Sequence, residues 1–142
     1  TKIVFARAAA DGEMKIVLAD YPEVENQTIL TSSNRDWAPS FSRDGSRIVF
    51  SRMKLPFVDA TREICVIDTD GTNLVQLTQS ETNVVNDNPA WSPDPANEKI
   101  VFDSDRNWNH RQIYEMNPDG SGIEAITNDA FFDHHRPMYE PL

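Results

Sequence analysis

The residues with the clearest chemical potential stand just ahead of three short proline-containing runs. Asp36-Trp37 precedes Ala38-Pro39, Asp87-Asn88 precedes Pro89, and Asp133-His134-His135-Arg136 precedes Pro137. Carboxylates, amides and imidazoles at three such places offer donors and acceptors to a polar ligand, and His134 and His135 are of the type that holds a divalent metal. Adjacent residues of a strand point to opposite faces, so both imidazoles reach one ion only from a loop. The pair is therefore a weak candidate and no metal is assigned. Asp and Asn also cap turns before strands with no ligand involved, which is the plainer account of Asn86 and Asp87 taken singly.

The remaining motifs lose their chemistry on inspection. Asp68-Thr69-Asp70-Gly71 has part of a calcium-loop spacing but lacks the third acidic ligand and the closing Glu. Asn117-Pro118-Asp119-Gly120 stands at the matching place further on, which marks both as turns. Gly120-Ser121-Gly122 is followed by neither a Lys nor a helix, so it is no phosphate loop. Asn26-Gln27-Thr28 is a glycosylation triplet of the kind that arises by chance. No nucleophile elbow and no His-Glu-x-x-His occurs. Cys65 lies inside an alternating apolar run, which is a packing position. No catalytic residue and no cofactor is expected.

Composition narrows the partners. The chain has 142 residues, with 23 Asp and Glu against 13 Lys and Arg and a formal net charge of −10. Nucleic acid and anionic membrane both need a basic footprint, so neither is expected as a partner. No apolar run approaches a membrane span. One Cys excludes an intrachain disulfide and a Cys-based zinc site. The sequence starts at Thr1 without a charged or apolar leader, so any targeting segment is expected to have been removed or never to have existed.

The elements that carry these residues repeat. Ile-Val-Phe occurs at residues 3–5, 48–50 and 100–102. Each copy is followed by an alternating run centred on Ile16, Ile64 or Ile113, then by a short run ending in Thr31, Thr78 or Thr127. A fourth marker is Pro39-Ser-Phe41, Pro89-Ala-Trp91 and Pro137-Met-Tyr139. All four recur at intervals of 45 to 52 residues. Asp-Gly pairs at residues 11–12, 44–45, 70–71 and 119–120 supply the hairpin turns. Nothing shows a helical apolar period, and nine Pro residues interrupt the chain. The spacing predicts an all-β chain with four short strands per repeat, the signature of a propeller blade.

Asn88-Pro-Ala-Trp-Ser-Pro-Asp94, Lys99-Ile-Val-Phe-Asp-Ser-Asp-Arg106, Gln112-Ile-Tyr-Glu-Met-Asn-Pro-Asp-Gly120 and Ile126-Thr127 resemble in order the WD40-like repeat of the TolB family. Ala38 through Thr78 resembles it nearly as well. The first unit has lost most of the motif, and Pro95-Ala-Asn-Glu98 replaces the usual Asp-Gly turn. The resemblance implies a six-bladed β-propeller and a bacterial source. It also implies a periplasmic or extracellular setting, with the cytoplasm left open.

Within a blade the first strand is innermost. Residues 1–35 then hold strands two to four of one blade, 36–85 and 86–133 two whole blades, and 134–142 a lone first strand. Three blades do not close readily, since rings typically have about 4–8, but two chains make six. The expectation is a half-propeller that forms a homodimer. Pro137, Met138 and Tyr139 of one chain would close onto Ile3 and Phe5 of the other. The competing account is a fragment of a longer propeller. The apolar runs, with Phe41, Trp91 and Tyr139, are expected to form the core between blades. The residues ahead of the first strands (Asp36, Trp37, Asp87, Asn88, His134, His135 and Arg136) would rim the channel mouth as its ligand-binding residues, with Arg35 and Arg136 the only basic groups there. Trp108 and His110, and Leu55, Pro56 and Phe57, lie on loops that could meet another protein. The function expected is a non-enzymatic interaction module. The alternative is a propeller enzyme, a metal-assisted polysaccharide lyase or a hydrolase.

Overall fold

The computed structural model describes residues 1–32, 35–54, 60–107 and 110–140; Leu55, Pro56, Phe57 and Trp108 lie outside them. Eleven strands and no helix are found among the described residues. β1 (Lys2–Ala8), β2 (Met14–Asp20) and β3 (Thr28–Ile29) form a three-stranded antiparallel sheet. β4 (Asp36–Phe41), β5 (Arg47–Met53), β6 (Arg62–Asp68) and β7 (Val75–Gln76) form a four-stranded one. β8 (Asn86–Trp91), β9 (Ile100–Ser104), β10 (Gln112–Met116) and β11 (Glu124–Ala125) form the third. Strands follow chain order in every sheet, so the chain is a partial propeller of three sheets.

The Ile-Val-Phe runs are continuous rather than alternating because a sheet between two others is buried on both faces. On β5, Ile48 and Phe50 pack with Cys65 and Ile67 against Ile16, Leu18 and Leu30 of the first sheet. Val49 faces the other way, with Ile64 and Val66, against Trp91, Ile100, Phe102, Tyr114 and Met116 of the third. β1 carries the same tripeptide with a different outcome. Ile3, Val4, Phe5 and Ala6 are all half-buried: Val4 and Ala6 pack against the core, whereas no sheet covers the face of Ile3 and Phe5 among the described residues. Phe41, Ile113 and Tyr139 are likewise half-buried, whereas Trp91 is buried beneath the Arg47 guanidinium.

The Thr that ends each repeat has a structural cause. Thr31, Thr78 and Thr127 accept the N–H of Ile16, Ile64 and Ile113 on their hydroxyls at 2.9–3.0 Å, prolonging two-residue fourth strands. At the other end of the sheets, the Asp-Gly turns at residues 44–45, 70–71 and 119–120 close hairpins, whereas that at 11–12 joins β1 to β2 at the Thr end. Gly120 has φ 86° and lies so close to the Leu77 carbonyl that a Cβ would sit 2.5 Å from its oxygen, so this turn also fixes the approach of two sheets.

Asp44 accepts the Ser42 hydroxyl, the Ser46 N–H and the Ser46 hydroxyl. These bonds, Ser42 first, hold its carboxyl down to about 2. The folded value is below the ordinary one, so the turn's contribution is complete above about pH 3.8 and is lost as pH falls through about 2. A carbon-detected NMR titration should place the Asp44 midpoint near 2, and Ser42→Ala should move it toward 3.8. A midpoint at the ordinary value in the unmutated protein would contradict this.

Residues 134–140 form no ladder, although the Pro-Met-Tyr marker led to a strand there. Their backbone still has the first strand's shape. The residue before each marker proline is left-handed: Ala38 at φ 49°, Asn88 at 51° and Arg136 at 51°. In β4 and β8 the register shifts at this bend. The segment lies against the third sheet, where Arg136 donates its N–H to Asp103 at 2.9 Å and Tyr139 its hydroxyl to Glu115 at 2.8 Å. The inner edge of β1, where a first strand sits in the other sheets, has no hydrogen-bonded strand among the described residues.

Candidate functional site

One end of the sheets collects the ends of the second strands, the starts of the third strands and the loops that lead into the first strands. Asp36, at the start of β4, is fully buried and takes a bidentate bond from Arg52 on β5, at 2.8 and 2.9 Å. Asp87, on β8, is buried and accepts the Ser51 hydroxyl at 2.5 Å and an Arg62 guanidinium N–H. That same guanidinium stacks on the Trp37 ring at 4.5 Å, so one arginine ties the first strand of one blade to that of the next. Asp103, on β9, is fully buried and accepts Arg111 at 2.6 Å, the Asn88 amide at 2.8 Å and the Arg136 N–H.

A second layer holds the loops. Asn86 is fully buried, accepting Ser104 and Arg106 on its oxygen and donating to Ser80 and Glu63. Glu63 also accepts the Thr78 hydroxyl and the Ser80 N–H. The matching residue in the third sheet is Gln112, whose oxygen accepts the Thr127 hydroxyl and the Asp129 N–H. In the first sheet it is Lys15, which donates to the Ser32 carbonyl.

Of the residues expected at the mouth, Asn88 and Arg136 meet on Asp103, and Trp37 and Asp87 meet on Arg62. Asp36 lies apart, beneath Arg52. His134 donates its N–H to the Arg111 carbonyl at 2.7 Å, and its Nε2 is 3.9 Å from Asp129. His135 is exposed. His110 Nδ1 is 3.5 Å from Asp133, whose carboxyl is held low by the Arg111 N–H and then by the nearby imidazoles. No group of three His, Cys, Asp or Glu among the described residues is arranged to hold a metal. Arg35 and Arg136 are not the only basic groups at this end, because Arg52, Arg62, Arg106 and Arg111 lie there too. The signal for three of them was present in the repeats: an Arg two residues past Phe50, as past Phe5, and an Arg two residues before Ile64 and Ile113, whereas Arg106 has no Arg at its repeat positions.

These carboxylates are structural partners of arginine, not free acids or bases. Burial pushes the Cys65 thiol up to about 12, which keeps it protonated and non-nucleophilic. What stays open is a groove along the first strands, where Pro39, Pro89 and Pro137 line one wall with Ala38, Ala90 and Met138.

Residues 1–137 match the TolB beta propeller domain. Among solved structures, a TolB-type protein from Agrobacterium tumefaciens is 25% identical with a TM-score of 0.75, over 92% of this chain and 44% of that one. TolB from Acinetobacter baumannii is 22% identical with a TM-score of 0.71, over 92% and 30%. A chain of the nidogen/laminin complex has the same fold at 17% identity and a TM-score of 0.67, over 90% and 44%. The chain thus spans less than half the length of each. No curated protein matches it.

Proposed function

The chain belongs to the TolB β-propeller family, and from that premise we propose that it is a non-enzymatic binding module whose ring is completed by a second copy of itself. The observation that carries this is the complementarity of two unpaired parts. Among the described residues the inner edge of β1 has no first strand beside it, and residues 134–140 have a first strand's bend and no ladder. Two copies give six blades with a two-fold axis, each copy's Pro137-Met138-Tyr139 lying beside Ile3 and Phe5 of the other. His134, His135 and Arg136 then rim the channel mouth twice, backed by Asp36, Trp37, Asp87 and Asn88, and offer a polar partner a ring of donors.

Light scattering at micromolar concentration tests the assembly, with an expected mass of twice 16.1 kDa. A mass of one chain would overturn the dimeric ring. It would favour these residues as part of a longer propeller, an account that draws on the 44% coverage of the Agrobacterium protein.

A further inference from the structure

Phe131 and Phe132 are consecutive, 80% and 67% exposed, and sit on the loop between β11 and residues 134–140. The loop that presents them is pinned. Asp129 accepts the Phe131 N–H at 2.8 Å, and Gln112 donates to the Phe132 carbonyl at 3.2 Å. Two aromatic rings held outward on a fixed backbone are a preorganised anchor.

The complete sheets show what such a position meets. The residue four before the marker proline accepts a backbone bond from the third residue past the Ile-Val-Phe phenylalanine: Met53 N–H to Arg35, and Asp105 N–H to Val85. The residue three before the proline pairs with the second residue past that phenylalanine: Asp36 with Arg52, and Asn86 with Ser104. Carried to the missing joint, these rules set Asp133 beside Ala8 and His134 opposite Arg7. Phe132 then comes opposite Ala9. Its counterpart in the finished joint is Val84, 3% exposed, which lines one cleft with Arg106, the counterpart of Ala9.

The sizes are exchanged between the two joints. A small Val84 faces a long Arg106, whereas a large Phe132 would face Ala9, flanked by exposed Ala8 and Ala10. On the reading that a second copy closes the ring, we propose that Phe131 and Phe132 anchor the joint by docking on the partner's Ala8-Ala9-Ala10 run. The occupant is a second copy because the large and the small surfaces stand at repeat-equivalent positions of this one chain. Two-fold symmetry uses the anchor twice per ring.

The test uses the full chain and its association constant by sedimentation, with circular dichroism to confirm that each variant is folded. Phe131→Ser with Phe132→Ser should weaken association by at least about 100-fold, since each ring loses two aromatic anchors twice. Ala9→Arg should weaken it about 10-fold or more by filling the space the ring needs. Adding Phe132→Val to Ala9→Arg recreates the Val84–Arg106 pairing and should recover at least half of that loss on a logarithmic scale. A dimeric wild type whose variants associate equally well would overturn the anchor and leave the ring standing. A wild type that is monomeric at every concentration would overturn the ring itself, and the anchor with it.

Discussion

Replacing Asp103 with alanine is expected to lower the unfolding free energy by about 3–5 kcal/mol, the usual result of breaking a buried ion pair from one side. Asp103 is fully buried, and its two oxygens accept three donors from three parts of the chain: Arg111 before β10, Asn88 on β8 and the Arg136 backbone. Without it the Arg111 guanidinium keeps, among the described residues, only Asp105 as an ion-pair partner, at 3.6 Å, while its side chain is 18% exposed. The loss is not only energetic. The Arg136 N–H bond holds the left-handed bend before Pro137 on the third sheet, beside the His134 N–H bond to Arg111 and the Tyr139 bond to Glu115, so residues 134–140 should loosen. Urea unfolding reads the first effect and amide exchange over residues 134–140 the second. Asp103→Asn keeps the shape but turns one acceptor into a donor against a donor, and should fall between the two. A change below about 1 kcal/mol in Asp103→Ala, with exchange as in the wild type, would show that the carboxylate does not perform this task.

How far the primary structure could be read depends on whether a feature repeats in type or only in backbone. The eleven strands, the Asp-Gly turns and the terminal Thr recur as residue types, and each has a local reason, so they were legible, whereas the strand expected at residues 134–140 forms no ladder. The bend before the marker proline recurs only as a conformation. Ala38, Asn88 and Arg136 have nothing in common as side chains, and neither Ala nor Arg favours positive φ. The bend in turn controls register. It carries the β4–β5 pairing from Trp37–Ser51 to Ser40–Val49, skipping residues on one strand, and so sets Asp36 opposite Arg52. A one-residue irregularity of this kind leaves no periodic trace, which is why Asp36 and Asp87 looked like rim carboxylates and proved to be buried arginine partners. Ile3 and Phe5 failed in the other direction. Their tripeptide is the same as that of β5, but no sheet covers their face among the described residues, and they are half-buried.

The arginines give the three-sheet arc its coherence. Arg62 stacks on Trp37 of its own sheet while bonding Asp87 of the next, and Arg111 shares Asp103 with Asn88 and with the segment that follows. Arg62 joins a third strand to two first strands, and Arg111 reaches Asn88 of a first strand through Asp103 of the second, so the groove along the first strands is held in shape from the end where the polar residues gather. Apolar packing between sheets is tolerant of small slides. Bidentate and shared ion pairs fix orientation, and a binding surface built from loops of successive blades needs that fixed orientation.

Glu63→Ala should cost about 3–4 kcal/mol, because it leaves several donors without an acceptor in a buried site. Glu63 is 1% exposed and accepts the Thr78 hydroxyl at 2.5 Å, the Ser80 N–H at 2.7 Å, the Ser80 hydroxyl at 3.3 Å and the Asn86 amide at 3.1 Å. The position is a clasp in all three sheets, closing the third strand onto the loop that leads to the next blade. Gln112 performs the task in the third sheet, yet Glu63→Gln should still cost about 2 kcal/mol. Gln112 has the Asp129 and Phe132 carbonyls to take its amide protons, at 3.0 and 3.2 Å. At position 63 the new amide would meet the Asn86 amide or the Ser80 N–H, donor against donor. Asn86 cannot turn over to help, since its oxygen is held by Ser104 and Arg106. Chemical denaturation of the two variants gives the answer directly. Equal stability of Glu63→Gln and wild type would mean that the loop rearranges and that the clasp is not specific. The expected ranking, wild type above Gln above Ala, would show that a buried hydrogen-bond set fixes the loop before each first strand, as it does for the loop that carries Phe132.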